Sequence, residues 1–288
     1  MSGFAIDGHA FSAPTLAPGL YLVATPIGNL RDITLRALEV LATADVLAAE
    51  DTRHSRRLLD RYAIRRPLQS YHEHNETEAS ARMVAELDAG RSVALVSDAG
   101  TPLVSDPGFR LVSAAREAGH AVVPIPGPSA PLAALVASGL AGGSFTFAGF
   151  LPPKSAARQA RLEALRGAPG TLVVFEAPHR LAASLADMAS VLGERDAVVA
   201  RELTKRHEEV RGSTLAALAD YYSRNEPRGE IVVCIAPQAE TEAAADPERV
   251  LRDLLGEMTA SRAAAEAAKL LGRPKRELYA LALDLKDG

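Results

Sequence analysis

The sequence predicts an α/β protein: two α/β domains followed by a small all-helical C-terminal module. Three observations carry this reading. Short apolar runs of strand length recur from residue 20 to residue 236, each broken by Gly, Pro, Ser or Asp and mostly followed by a helical pattern. As far as residue 131 strands and helices alternate across short connections, as in one parallel sheet covered by helices. Beyond it the strands are spaced unevenly, which fits a mixed sheet, and the last forty residues hold only helical periodicity. The expected boundaries are a flexible tail over residues 1–18, an N-terminal α/β domain over 19–131, a second over 132–237 and a helical module over 247–288.

Residues 1–19, with two prolines and scattered small residues, read as the tail. Residues 20–24 form a strand stopped by Thr25, Pro26, Ile27, Gly28 and Asn29. Asp32 is placed to cap a helix over residues 33–42, with Leu35, Leu38 and Leu41 on one face. Residues 46–49 are the next strand, ending in Glu50, Asp51, Thr52 and Arg53. Arg53, Arg57, Arg61 and Arg65 then recur every four residues, with Arg56 and Arg66 beside them, against a single acidic residue, Asp60. On a helix that spacing makes one basic stripe. Such a stripe is either a solvated face or a phosphate contact, and its start at a strand's carboxyl end supports the second.

A short strand over 68–71 leads to His72 and His74, which could share a metal but fit a polar loop better. Residues 77–88 are helical and Gly90 suits the stop. The run Val93, Ala94, Leu95, Val96 breaks into Ser97, Asp98, Ala99, Gly100, Thr101 and Pro102. A second break at Ser105, Asp106 and Pro107 opens a helix over 108–118. In open parallel sheets ligands bind outside the carboxyl ends of the strands, where backbone N–H groups are free. A strand over 121–123 runs into another such loop, residues 124–130, whose proline and Ser129 hydroxyl suit a helix N-terminus facing a ligand. In the second half, strands are expected at 145–150, 172–175, 197–200, 209–212 and 231–236. A basic helix carries Lys154, Arg158 and Arg161, and a further helix covers 214–222. Residues 237–247 read as a linker. Residues 260–271, the turn at Gly272 and Arg273, and Pro274 opening a last helix resemble a basic helix-turn-helix.

Composition narrows the class. The chain has 288 residues, 48% hydrophobic and 24% charged, and a net charge of −4. That balance argues against indiscriminate nucleic-acid binding and leaves room for a local basic patch. The only cysteine, Cys234, sits in an apolar run and reads as a buried thiol, which rules out a disulfide framework or cysteine-rich zinc site. No metal is expected. Residues 1–18 lack the basic start and apolar run of a signal peptide, and no apolar stretch is long enough to span a membrane, so a cytoplasmic protein is expected. Neither phosphate-loop nor dinucleotide fingerprint occurs, nor a G-x-S-x-G elbow. What remains are tight loops suited to a ligand with an adenine, a ribose and an amino-acid end. Asp98 could accept from an ammonium group, and the N–H groups near Gly100 or Ser129 could hold a carboxylate.

Seven short motifs occur in order: ATPIGNL at 24–30, AEDTR at 49–53, SDAGTP at 97–102, PGPSA at 126–130, FLP at 150–152, FEAPHR at 175–180 and RELTK at 201–205. Together they resemble the tetrapyrrole methylase superfamily, and its ribosomal RNA branch more than its corrin-making one. The resemblance implies S-adenosyl-L-methionine as methyl donor, bound in a cleft between the two α/β domains, with no metal, in a protein that is usually a homodimer. It implies as acceptor the ribose 2′-hydroxyl of a decoding-centre cytidine in 16S rRNA of the small ribosomal subunit. On the superfamily pattern the donor contacts fall at Pro26, Asp98, Gly100, Thr101, Ser129, Ala130, Glu176, Leu203 and Gly229. A ribose hydroxyl is almost fully protonated at neutral pH, so a group that removes its proton helps. The strand-end candidates are Asp51, Glu202 and Lys205, with Glu50 and His179 behind them. Glu176 and Glu202 could instead form ion pairs with Arg180 and Arg201. Arg53, Arg56, Arg57 and Arg61 are the candidate RNA contacts. Two alternatives stay open: a tetrapyrrole or diphthine methyltransferase on the same fold, and a non-enzymatic ligand-sensing, DNA-binding regulator using the terminal module.

Overall fold

The computed structural model describes residues 3–140, 142–238 and 247–287. They fall into two compact units, meeting in the chain at Pro237 and Gln238.

The first unit opens with an antiparallel hairpin of β1 (Gly3–Ile6) and β2 (His9–Ser12). This corrects the reading of residues 1–18 as a flexible tail. Asp7 and Gly8 both take positive φ, 48° and 86°. An Asp-Gly pair is the residue choice that a two-residue hairpin turn requires. Phe4 is buried and stacks on Phe11 at 5.4 Å, and the Ala5 N–H donates to the Tyr62 carbonyl at 2.8 Å.

The first large sheet comprises β3 (Gly19–Val23), β4 (Val46–Ala49), β5 (Leu68–Ser70), β6 (Ser92–Val96) and β7 (Val122–Ile125), all parallel, in the order β5-β4-β6-β3-β7. Between the strands run α1 (Leu35–Thr43), α2 (Thr52–Arg61), α3 (Glu76–Asp88) and α4 (Phe109–Glu117). Side chains alternate across the sheet with period two. Tyr21, Val23, Ala94 and Val96 pack with α1 and α2, whereas Leu20, Val93 and Leu95 pack with α3 and α4. Parallel strands put every strand-end loop on one edge, which is where the motifs lie. Pro124 sits inside β7, an edge strand, where a missing donor is tolerated.

Helix α5 (Ala130–Ser138) leaves this sheet and packs on the second one. That sheet contains β8 (Phe145–Phe150), β9 (Thr171–Glu176), β10 (Asp196–Arg201), β11 (Glu209–Thr214) and β12 (Ile231–Ile235) in the order β11-β10-β12-β9-β8. Only β8 and β9 run parallel, so the sheet is mixed, and β11 is the expected edge strand. One face is closed by α6 (Ser155–Leu165), α7 (Leu181–Leu192) and α8 (Leu215–Arg224). The other is covered by α5 and by Ile27 from the loop after β3. Cys234 is buried there, its thiol pushed up to about 11 by burial.

Three local expectations change. Asn29 accepts from the Arg31 N–H and caps a short turn holding Asp32, while Thr34 caps α1 by accepting from Ala37 N at 3.1 Å. Helix α2 stops at Arg61 because Ala63 turns to φ 55°. The stripe is therefore shorter than its spacing implies: Arg65 lies beyond the helix, and Arg66 donates to the Ala44 carbonyl. Arg158 is no part of a basic surface. It is buried, and its guanidinium meets the Asp187 carboxylate at 2.5 Å, tying α6 to α7.

The second unit holds α9 (Pro247–Leu255), α10 (Ala260–Leu271) and α11 (Lys275–Asp287) around a core of its own that includes Leu251, Ala263, Ala264, Ala267 and Leu278. Gly272 closes α10 in the left-handed conformation at φ 62°. Of the linker expected over 237–247, residues 239–246 lie outside the described residues.

Candidate active site

The carboxyl edge of the parallel sheet and the second sheet enclose a cavity of about 360 Å³. This is within the range that takes a nucleoside-sized ligand. Its first wall comes from the loop after β6. Thr25 and Gly100 exchange two backbone hydrogen bonds, 2.9 and 3.0 Å, joining that loop to the one after β3. Thr101 donates from its hydroxyl to the Pro128 carbonyl at 3.1 Å, joining it to the loop after β7. Gly100 has φ 86°, and a Cβ there would stand 3.3 Å from Ile27. Ser129 is the N-cap of α5 with its hydroxyl unused by the cap, and Ser129, Ala130 and Pro131 all line the cavity. A helix N-terminus thus faces the space, with N–H groups that have no partner in the helix.

The second wall is apolar, lined by Ile27, Phe175, Ala200, Leu203 and Val232. Glu176 and Gly229 line the cavity as well. Gly229, at φ 88°, has no room for a side chain, because a Cβ would come within 2.2 Å of the Glu202 carboxylate. The loops after β3 and β10 also touch: Asn29 N donates to the Thr204 hydroxyl at 3.1 Å, and a Cβ on Gly28 would lie 2.5 Å from Lys205 Cγ. Leu103, Ser105, Glu202 and Thr204 all adopt positive φ. Backbone strain of this kind persists only where its surroundings hold it, and it gathers at ligand sites.

Of the expected donor contacts, Gly100, Thr101, Ser129, Ala130, Glu176, Leu203 and Gly229 line this cavity; Pro26 and Asp98 do not. Asp98 acts within the loops, its carboxylate accepting from the Asp51 N–H at 2.8 Å. Pro26 is buried.

The proton-acceptor candidates separate by environment. Asp51 caps α2 and is gripped by the Arg53 guanidinium at 2.9 Å and by Arg53 N at 2.8 Å; these bonds hold its carboxyl at about 2. So weak a base takes up a hydroxyl proton poorly, and Asp51 lies outside the cavity wall. Glu202 is held low by its bond from Lys205 at 2.8 Å. Burial opposes the charge on Lys205, but its bonds to Glu202 and to Glu230 at 3.0 Å outweigh that and raise it. His179 occupies the turn after β9, beside Ala177 and Pro178, which do line the cavity. Glu176 is buried and paired with Arg180 at 2.7 Å, and it also accepts from Ala177 N and the Ser184 hydroxyl, which anchors the turn. Glu50 is raised by burial and by Asp98.

Asp106 is a site residue that sequence reasoning does not single out. It lines the cavity, and its carboxyl is pushed up to about 6 by burial and then by the charges of Glu50 and Asp98, with Ser97 opposing. The signal is present as the second break after β6, but nothing in the sequence shows that residues 101–107 fold back over the strand end.

Arg53 and Arg57 are exposed along α2 and Arg56 is half exposed. Arg53 pairs with Asp51 and Arg61 with Asp7 on the hairpin, so among the described residues Arg56 and Arg57 are the members of the stripe on α2 without an ion pair. Among the described residues no cluster of three or more His, Cys, Asp or Glu is arranged to hold a metal, and no helix is long and apolar enough to cross a membrane.

With this geometry in view, comparison with known proteins is informative. Residues 19–219 match the family of Tetrapyrrole (Corrin/Porphyrin) Methylases, and residues 241–286 match the RsmI C-terminal HTH domain. A protein of Mesorhizobium japonicum named ribosomal RNA small subunit methyltransferase I is 60% identical over 96% of this chain and 95% of its own. A protein of the same name from Pseudomonas aeruginosa is 51% identical over 92% of this chain and 96% of its own. Among solved structures, uroporphyrin-III C-methyltransferase from Thermus thermophilus, complexed with S-adenosylhomocysteine, aligns at a TM-score of 0.53 and 21% identity, over 76% of this chain and 97% of that one. That likeness shows the fold. The chain belongs to the tetrapyrrole methylases and, within them, to the ribosomal RNA small subunit methyltransferase I family.

Proposed function

We propose that the protein transfers a methyl group from S-adenosyl-L-methionine to the ribose 2′-hydroxyl of a decoding-centre cytidine in 16S rRNA, acting in the cytoplasm as a homodimer. The cavity between the two sheets carries this reading, because its walls suit the adenine and the carboxylate of the donor. The apolar slot of Ile27, Leu203 and Val232 suits the adenine. The N-terminus of α5 at Ser129 and the backbone around Gly100 suit the carboxylate.

The bound donor supplies a methyl group already activated by its sulfonium charge. The chain's task is then to orient, to exclude water and to accept one proton. The joined loops after β3, β6 and β7 fix the donor's position, and such alignment is worth roughly 7–11 kcal/mol of barrier. Asp106 is placed to take the hydroxyl proton, since a carboxyl near 6 is ionised at neutral pH yet basic enough to share that proton. Arg56 and Arg57, with Arg262, Lys275 and Arg276 of the terminal unit, contact the RNA phosphates. Tetrapyrrole and diphthine methyltransferases share the fold, so fold alone does not separate the acceptors. The close relatives and the unpaired arginines of α2 favour RNA.

Incubating the protein with methyl-labelled donor and small ribosomal subunits tests the reading. Label is expected at one cytidine, at a phosphodiester that has become resistant to alkali. Label on a base, on protein or on small molecules alone would overturn it.

A further inference from the structure

A second cavity, of about 460 Å³, opens next to the donor cavity and shares Gly229 with it. Its walls include Arg201, Glu202, Tyr221, Tyr222, Asn225 and Arg228. We propose that it binds a nucleotide flanking the methylated one, holding the RNA strand so that the acceptor ribose enters the donor cavity. This rests on the RNA methyltransferase reading above.

The wall is built, and one of its groups lacks a partner. Tyr222 is 4% exposed, and its buried hydroxyl makes no hydrogen bond. A phenol in that position normally has a partner, and an unsatisfied one costs stability. Beside it, Asn225 donates from Nδ2 to the Tyr221 carbonyl at 2.9 Å, which leaves its side-chain oxygen as an acceptor directed by that bond. Tyr221 meets Tyr222 edge to face at 5.0 Å, and the Arg211 guanidinium lies 4.0 Å from the Tyr221 ring centre. Two of the acidic groups are neutralised, Glu209 by Arg201 at 2.9 Å and Arg211 at 3.0 Å and Glu202 by Lys205 at 2.8 Å, while Glu226, also on the wall, is exposed and makes no ion pair among the described residues. Arg228 lines the cavity, is exposed and makes no ion pair among the described residues.

A hydroxyl, a free amide oxygen and aromatic surface are the groups that recognise an unstacked base, and the Arg228 guanidinium is the group that can meet its phosphate. They do not resemble a site for a tetrapyrrole carboxylate, which would need several unpaired cations. The site's position explains its use: Gly229 belongs to both walls, with the Glu202 carboxylate against it, so a strand crossing this ridge places neighbouring nucleotides in the two spaces.

The test uses the full-length protein, Tyr222→Phe and Arg228→Ala, a single-stranded RNA oligonucleotide with a central cytidine, and S-adenosylhomocysteine as donor-site probe. Each variant is expected to weaken RNA binding about 5–10-fold, as removal of one hydrogen bond or phosphate contact does. KM for ribosomal subunits should rise, S-adenosylhomocysteine affinity should stay within twofold, and Tyr222→Phe should match or exceed the wild-type Tm. Unchanged RNA affinity in both variants, while the wild type still methylates RNA, would overturn the proposal. So would a clear drop in Tm for Tyr222→Phe, which would mean the hydroxyl already serves the fold, or an equal loss of heparin binding in Arg228→Ala, which would reduce its role to charge alone. A wild type that transfers no methyl group to RNA overturns the functional reading itself.

Discussion

Asp106 and Asp51 are carboxylates at the same sheet edge with opposite environments. Hydrogen bonds from Arg53 take Asp51 down to about 2, whereas burial and the neighbouring charges of Glu50 and Asp98 take Asp106 up to about 6. If Asp106 accepts the ribose proton, kcat/KM rises with pH to a limb near 6 and then levels. Asp106→Asn should remove that limb and lower kcat about 100-fold or more, with S-adenosylhomocysteine affinity within twofold. The same variant has a stability signature. A carboxyl raised in the folded state favours folding below the ordinary carboxylate range and loses that contribution as pH rises through about 6. Asp106→Asn should therefore be more stable than wild type at pH 8 by about 1 kcal/mol, discounted for its partial exposure. That is about 2–4 °C in Tm, and the gain should vanish at pH 4. An intact pH limb in the variant would return the role of base to Glu50, which burial and Asp98 also raise. The sequence exposes the loop at 97–107 as a site because its residue types break a strand. It does not rank the carboxylates, since burial and charge proximity arise only when the loops after β4 and β6 meet.

At the scale of elements, short apolar runs and glycine stops are enough to place both sheets, since the central strands bury both faces and each break marks a strand end. The departures have local causes. The Asp7–Gly8 turn hides among small residues, and a four-residue arginine repeat continues on paper past the point where Ala63 ends α2. What remains of the stripe gives a sharper expectation. Arg57 is exposed, and neither it nor Arg56 has an ion pair among the described residues, whereas Arg53 and Arg61 are occupied. Arg57→Glu should weaken RNA binding at low salt and reduce the slope of log Kd against log salt by about 0.7 for each phosphate that is no longer neutralised. Tm should stay within about 2 °C of wild type, because an exposed side chain away from the core changes stability little. Arg61→Glu instead breaks the pair with Asp7 and would disturb the hairpin, so it is the poorer probe. An unchanged salt slope for Arg57→Glu would remove α2 from the RNA surface.

At the scale of the whole molecule, the division of the chain separates two tasks. Every residue that lines the donor cavity lies between Ile27 and Val232, inside the first unit, and the second unit has its own apolar core around Leu251, Ala264 and Leu278. Within that second unit Lys269 and Arg273 pair with Glu266 and Glu277, while Arg262, Lys275 and Arg276 make no ion pair among the described residues. The unit is close to neutral as a whole, but these three unpaired cations fall on its last two helices, where they have little to offer a small acceptor and more to offer a phosphate backbone. Ending the chain at Pro237 should therefore leave the sheets folded, with S-adenosylhomocysteine affinity within twofold of the full-length protein. Affinity for ribosomal RNA should fall tenfold or more, with a shallower salt slope, since cations that face phosphates go while the donor cavity stays. A DNA-binding regulator would lose DNA binding on the same truncation and show no methyl transfer before it. If the shortened chain binds RNA as tightly as the intact one, the terminal helices serve packing rather than RNA binding. RNA recognition would then belong to α2 and to the cavity at Tyr222 alone.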